Sequence, residues 1–203
     1  GSSQGVIVND SLRIAVADDE PDMRDYFATI LPGMGHEVVA VARTGRELID
    51  LCRESRPDLL IVDIRMPEMD GIEAAAEICC TEPVPVILVS AFHDPDTIER
   101  AGAEYVFAYL VKPIKQADLK PAIAIAMKRF QQFQELRREA VDLRQALDDR
   151  KIIDRAKGVL MKRGGMEEQD AFRRLQKLAN QKNLKLVEVA RHILLAEEAI
   201  GPP

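Results

Sequence analysis

Leu59-Leu60-Ile61-Val62-Asp63 and Val86-Ile87-Leu88-Val89-Ser90 decide the fold. Neither run alternates apolar with polar residues. Both are continuous, rich in β-branched side chains, and closed by a polar residue. A strand with one wet face alternates, so a continuous run reads as a strand covered on both faces, as in a parallel sheet between two helix layers. Working outward, three more candidate strands are Leu12 to Ala17, Glu37 to Ala42 and Tyr105 to Val111. Amphipathic stretches fall between them, at Met23 to Leu31, Gly45 to Ser55 and Ile72 to Cys80. Strands that alternate with helices imply right-handed βαβ units. The expectation is an α/β fold, a doubly wound five-stranded parallel sheet over residues 12–125, followed by a long helix and a small three-helix bundle.

After Pro113 the strand pattern stops. Asp118 reads as a helix cap with Pro121 in the first turn, where a missing N–H costs little. From there to about Arg163 Gly158 is the sole breaker. The apolar residues Leu119, Ile123, Ala126, Phe130, Phe133, Leu136, Ala140, Leu143 and Leu147 step by 4, 3, 4, 3, 3, 4, 3, 4, a heptad rhythm with one stammer. This reads as a dimer seam along a linking helix at 118–150; the alternative is an amphipathic helix packed within its own subunit. Gly164-Gly165 ends the helix. Further helices are expected from about Glu167 to Gln181 and from Leu186 to Ala199, with a turn at Lys182-Asn183, giving a bundle domain over 136–198.

The chain of 203 residues is long enough for two small domains. Its net charge of −6 conceals an asymmetry. Residues 1–112 carry 9 Lys and Arg against 21 Asp and Glu, whereas residues 150–185 carry 11 against 4. An acidic front and a basic back suggest modules with different partners; the basic segment suits nucleic acid or is a solvated helical face. No apolar run reaches membrane-spanning length and no signal peptide is evident, so no membrane partner and a cytoplasmic location are expected. Gly1-Ser2-Ser3 reads as a tag scar at the head of a disordered segment 1–11. Cys52, Cys79 and Cys80 read as packing residues in a reducing compartment. His36, His93 and His192 form no spaced group.

In an open parallel sheet, reactive groups gather beyond the carboxyl ends of the strands. Here those ends carry Asp18-Asp19, Asp63, Ser90-Ala91 and Lys112-Pro113. Clustered carboxylates repel one another and call for a hard cation such as Mg²⁺. A nearby ammonium and hydroxyl suit a phosphoryl group, with one carboxylate as nucleophile. Each residue alone reads better as a cap or a surface charge; their agreement at four strand ends does not.

Residues 12–125 resemble the receiver domain of bacterial two-component response regulators, a flavodoxin-like fold. The resemblance rests on Ile14 to Glu20, on Ile61 to Gly71 with Asp63, Pro67 and Gly71, on Val89-Ser90-Ala91 and on Tyr109 to Pro113. It implies that Asp63 is the phosphoacceptor. Asp18, Asp19, Asp63 and the Arg65 backbone carbonyl would hold Mg²⁺, with Asp19 direct and Asp18 through water. Lys112 would pair with the phosphoryl oxygens, and Ser90 and Tyr109 would form the switch pair. Lys112-Pro113 would be a cis peptide, and Gly71 would supply a turn near the site.

Residues 136–198 resemble the ANTAR domain, an RNA-binding antiterminator module, through Arg150 to Met161 with its Ala156-Lys157-Gly158-Val159-Leu160-Met161 run, Gly165, Ala171 to Leu175, Ala179 and Val189-Ala190. Glu167 departs from the usual cap residue there. Helical geometry places Ile153, Ala156 and Leu160 on a core face, opposite Lys151, Arg155, Gly158 and Lys162. Lys157 lies on the flank of that face, either a snorkelling structural residue or a phosphate contact. On the next helix Ala171, Leu175 and Leu178 face inward while Arg173, Arg174 and Lys177 face away. The candidate RNA-binding set is thus Lys151, Arg155, Lys157, Lys162, Arg173, Arg174 and Lys177. Aromatic residues are only 4% of the chain and Phe172 reads as possible core, so phosphate and shape reading of an RNA hairpin fits better than base stacking.

The expectation is therefore a signalling regulator, not a metabolic enzyme, that catalyses its own phosphoryl transfer and dephosphorylation. A histidine kinase donates to Asp63, and phosphorylation favours a homodimer, RNA-hairpin binding and antitermination. The rivals are a DNA-binding response regulator and a receiver with a protein-interaction helical output.

Overall fold

A computed structural model of the chain describes residues 11–91 and 105–201. The segment read as a tag scar, apart from its last residue, and His93 lie outside the described residues. The chain divides into two compact units, residues 1–134 and 135–203.

The first unit is a five-stranded parallel sheet in the order β2-β1-β3-β4-β5, with β1 at Arg13–Ala17, β2 at Glu37–Ala42, β3 at Leu59–Asp63, β4 at Val86–Ser90 and β5 at Val106–Val111. The described helices are α1 (Pro21–Gly33), α2 (Gly45–Ser55), α3 (Gly71–Thr81) and the opening of α4 (Gln116–Gly164). Strand β3 shows why a continuous apolar run was needed. Leu59 and Ile61 pack in the core layer that holds Phe27, Leu31, Leu119, Ile123 and Ala126, from α1 and α4. Leu60 and Val62 pack in the opposite layer with Leu48, Ile49, Ala74 and Ile78, from α2 and α3. Alternate side chains therefore enter two separate cores, and no position on the strand is left for a polar residue until Asp63. Cys52 and Cys79 are buried in the second layer, while Cys80, read as packing, is exposed.

Thr44 and Asp70 start α2 and α3 by accepting the backbone N–H of Glu47 and Glu73, at 3.2 and 2.8 Å. The cap of α4 differs from expectation. The helix begins at Gln116, so Asp118 lies within its first turn, and its carboxylate accepts the Lys115 N–H at 3.2 Å. Pro121 accordingly stands as the sixth helical residue rather than in the first turn, and lacks an N–H for the Ala117 carbonyl.

The first part of the expected dimer seam also needs correction. Leu119, Ile123 and Ala126 are buried in the sheet core of their own chain. Phe130 and Phe133 meet Phe107, with centroids 5.8 and 5.9 Å apart, and Phe133 also meets Tyr105 at 5.7 Å. A helix laid on its own sheet needs a stripe of nearly the same period as one laid on a partner helix. β5 supplies the aromatic surface that takes this half.

In the second unit the rest of α4 packs with α5 (Glu168–Lys182) and α6 (Leu186–Ile200) around Ala156, Leu175, Ala179, Val189 and Ala190. Gly165, at φ +59, takes the left-handed conformation that follows α4, and Asn183, at φ 52, takes it after α5. Glu167 precedes α5 without a side-chain capping hydrogen bond, as its departure from the usual cap residue implied. Arg163 joins α4 to α6, pairing with Glu197 and donating to the Gly201 carbonyl at 2.7 Å.

Candidate functional site

The sheet order sets β1, β3 and β4 side by side, so Asp18, Asp63 and Ser90 emerge at one edge, with Lys112 following β5. The Lys112 N–H donates to the Ser90 carbonyl at 2.8 Å, and Lys112-Pro113 is cis. Lys112 Nζ lies 3.2 Å from Asp63 Oδ2, 3.0 Å from Asp18 Oδ2 and 2.9 Å from Glu20 Oε1. Gly71 opens α3 against this strand end: a Cβ there would stand 2.1 Å from the Asp63 carbonyl oxygen. Only a residue without a side chain permits that approach. The Arg65 N–H sits 3.4 Å from Asp63 Oδ1, which brings its backbone to the pocket.

Burial governs the electrostatics. The side chains of Asp18 and Asp63 are 1% and 6% exposed. Desolvation, then the Asp18 charge, push the Asp63 carboxyl up to about 6, against the opposing pull of Lys112 and the Arg65 N–H. Burial acts to lower the Lys112 pKa, but its contacts with Glu20, Asp18 and Asp63 outweigh that and raise it. Asp18 Oδ1 accepts the Glu20 N–H at 2.9 Å. Asp18 Oδ2 is buried and, despite its closeness to Lys112, has no directed hydrogen bond among the described residues. One oxygen from each of Asp18, Asp19, Glu20 and Asp63 falls within 4.8 Å of the others. An unsatisfied buried oxygen within an all-carboxylate group fits a hard divalent cation.

Two residues of this pocket escaped the sequence reading. Glu20 was legible as a third acid in the same loop but carried no assigned role. Arg24 donates from one nitrogen to the Asp18 and Asp19 carbonyls, both at 2.9 Å, and braces the loop from one turn inside α1.

In the second unit, Lys151, Arg155, Lys162, Arg173, Arg174 and Lys177 are exposed. Lys157 differs. Its side chain is 15% exposed, and Nζ lies 2.7 Å from both Asp154 Oδ1 and Glu168 Oε1. Those hydrogen bonds, Asp154 first, raise its pKa. Phe172, read as possible core, is 36% exposed.

Residues 14–124 match the response regulator receiver domain and residues 141–194 match the ANTAR domain. The chain is 39% identical over 191 residues to the transcriptional regulatory protein PdtaR of Mycobacterium tuberculosis, covering 94% of this chain and 92% of that one. The chain belongs to the response regulator family. Its output is an ANTAR domain, which makes it a response regulator of the RNA-binding antiterminator class. Solved receiver domains resemble it over the first unit. That of a modulated diguanylate cyclase from Desulfovibrio desulfuricans has a TM-score of 0.56 at 27% identity, covering 60% of this chain and 98% of that one. A receiver domain protein from Clostridium thermocellum has a TM-score of 0.54 at 31% identity, covering 59% and 96%.

In this response regulator the receiver edge brings together Asp18, Asp63 and Lys112 as direct neighbours, with Asp19 in the same carboxylate group. Ser90 stands at the end of β4, and Tyr109 is 42% exposed on β5. Of the candidate cations of the ANTAR domain, all but Lys157 are exposed, on α4 and α5. Among the described residues, no helix is long and apolar enough to cross a membrane.

Proposed function

We propose that this response regulator is phosphorylated on Asp63 by a histidine kinase and that phosphorylation turns on RNA-hairpin binding by its ANTAR domain. The observation that carries the reading is the buried Asp63 carboxylate, 3.2 Å from the partly buried Lys112 ammonium at the edge of a parallel sheet, in a chain that also carries an ANTAR domain. Asp63 attacks phosphorus through a carboxylate oxygen. The phosphorus–nitrogen bond to the kinase imidazole breaks, and its electron pair returns to that nitrogen. Asp18, Asp19, Asp63 and the Arg65 carbonyl would hold Mg²⁺, which supplies charge neutralisation for the transferring group. Lys112 would neutralise the remaining phosphoryl charge, and Gly71 keeps the Asp63 backbone close against α3. Ser90 follows the phosphoryl oxygens, and Tyr109, exposed in this structure, turns toward the space that Ser90 leaves. The receiver catalyses only its own phosphorylation and dephosphorylation.

The RNA-facing part of the proposal rests on cations that carry no ion pair. Arg155, Lys162, Arg174 and Lys177 have none among the described residues, and Lys151 and Arg173 are paired only at 3.6 and 3.8 Å on the open surface. Lys157, included in the candidate set from sequence, is better read as a strut between α4 and α5. A homodimer would use the lower seam, where Leu136, Leu143 and Leu147 are 66%, 61% and 60% exposed. A cytoplasmic location follows from the kinase and RNA partners.

The test combines acetyl phosphate labelling with a gel-shift of a labelled RNA hairpin against duplex DNA. Wild-type protein should take up acid-labile phosphate and then retain the hairpin, and Asp63→Asn should do neither. Retention of DNA in preference to the hairpin, or of neither, would shift the reading to a DNA-binding or protein-binding output.

A further inference from the structure

Glu20 immediately precedes α1, yet its side chain makes no capping hydrogen bond to that helix. It reaches across the pocket instead, where Oε1 accepts a hydrogen bond from Lys112 Nζ at 2.9 Å. The Glu20 backbone is itself fixed, its N–H held by Asp18 Oδ1 at 2.9 Å. A side chain 60% exposed, rooted on a held backbone and aimed at an ammonium 13% exposed, is a directed contact rather than a drifting surface pair. Among the described residues, Lys112 directs hydrogen bonds to Glu20 and Asp63, while Asp18 Oδ2 receives none. Phosphorylation of Asp63 asks Lys112 to turn to a phosphoryl group. Its contact with Glu20 must then be broken or shared as that group arrives.

We propose that Glu20 is a positioning residue that draws Lys112 toward the exposed side of the pocket in the resting protein and thereby restrains phosphoryl uptake. This rests on Asp63 being the phosphoacceptor. With acetyl phosphate as donor, an Asp63 oxygen forms the new bond to phosphorus. The bond from phosphorus to the acetyl oxygen breaks, and acetate leaves with the electron pair. Lys112 meets the incoming phosphoryl oxygens sooner when no carboxylate holds it elsewhere.

Two substitutions in the full chain separate positioning from charge. Glu20→Gln keeps the length of the side chain and removes its charge. Glu20→Asp keeps the charge and, one methylene shorter, withdraws the carboxylate from Nζ. Both should raise the rate of uptake from acetyl phosphate about two- to fivefold, the scale of a partly exposed ion pair. In resting, ¹⁵N-lysine-labelled protein, the Lys112 ammonium should give a slowly exchanging NMR signal that both substitutions weaken. A faster Gln variant beside an Asp variant of wild-type rate would overturn the proposal, because charge alone would then repel the donor. Unchanged rates in both would overturn it as well. The NMR measurement needs no phosphorylation. An ammonium signal unaffected by Glu20→Gln therefore refutes the tether, while wild-type protein that takes up no phosphate refutes the function proposed for Asp63.

Discussion

Asp63→Asn should stabilise the receiver domain in metal-free buffer above neutral pH, although it removes one carboxylate partner of Lys112. Burial beside Asp18 moves the Asp63 carboxyl from 3.8 to about 6. That displacement is about 2 pKa units, or about 3 kcal/mol favouring the neutral over the ionised form in the fold. An amide approximates the neutral form in size and charge, so the gain at pH 8 should be about 1–3 kcal/mol, the lower end allowing for compactness of the unfolded chain. A carboxyl raised in this way contributes stability below its unfolded pKa, and that contribution is lost as pH rises through the folded value. Wild-type stability should therefore decline between about pH 4 and pH 6 relative to the amide variant, which has nothing to titrate at this position. Urea unfolding in EDTA, followed by far-ultraviolet circular dichroism at pH 4.5 and at pH 8, measures the gap. Added Mg²⁺ should then stabilise wild type more than the variant, because binding to the native state alone raises stability by mass action. An amide variant no more stable than wild type at pH 8, or a gap equal at both pH values, would refute the account of Asp63 as a carboxylate held against its own desolvation.

Three further outcomes are expected. Gly71→Ala should cost the receiver about 3 kcal/mol or more, since its Cβ would stand 2.1 Å from the Asp63 carbonyl oxygen, and a lowered urea midpoint checks this. Leu143→Glu with Leu147→Glu should keep phosphorylated protein monomeric in sedimentation and leave phosphoryl uptake unchanged, whereas a persisting dimer removes the seam from the interface. Arg155→Ala with Lys162→Ala should weaken hairpin binding and flatten its dependence on salt by up to about one unit of slope per lost contact, while Lys157→Ala should instead lower the melting temperature.

The sheet was legible because its chemistry is local. A strand buried on both faces has no place for polar residues, so β3 and β4 read as continuous apolar runs closed by Asp63 and Ser90, and β2, β3 and β4 keep the bounds expected from the sequence. The carboxylates and Lys112 were legible for a related reason, since strand order turns four separate strand ends into one edge. Glu20 was harder to read. The same triplet of acids is compatible with a capping role, and only the 2.9 Å contact across 92 residues of sequence separates the two. The seam failed over its first half because a heptad stripe says that a helix is covered but not by what. Phe107 and Tyr105 resolve that at Phe130 and Phe133, and nothing in the spacing of α4 carries the information. Asp118 was misplaced by three residues because an acidic residue serves a helix start equally well as cap or from the third position, where it reaches back to the Lys115 N–H.

The basic segment shows a different limit, because net charge does not measure available charge. Its surplus of cations suited nucleic acid, yet acids spaced along the same helices neutralise part of it. Asp148 lies 3.6 Å from Lys151 and Asp170 lies 3.8 Å from Arg173, both pairs exposed and easily exchanged for a phosphate. Asp154 and Glu168 hold Lys157 at 2.7 Å on a side chain largely withdrawn from water, so a phosphate would have to displace two carboxylates at once. The sequence places Lys157 in the most recognisable run of the ANTAR match, beside Ala156 and Gly158, and leaves it as either a structural residue or a phosphate contact. Its geometry supports the structural assignment. Lys157 joins the last turns of α4 to the start of α5 across Gly164-Gly165, fixing the helices that display Arg155, Lys162, Arg174 and Lys177. Lys157 would then serve recognition by holding two helices in register, with Arg155, Lys162, Arg174 and Lys177 left as the proposed RNA contacts.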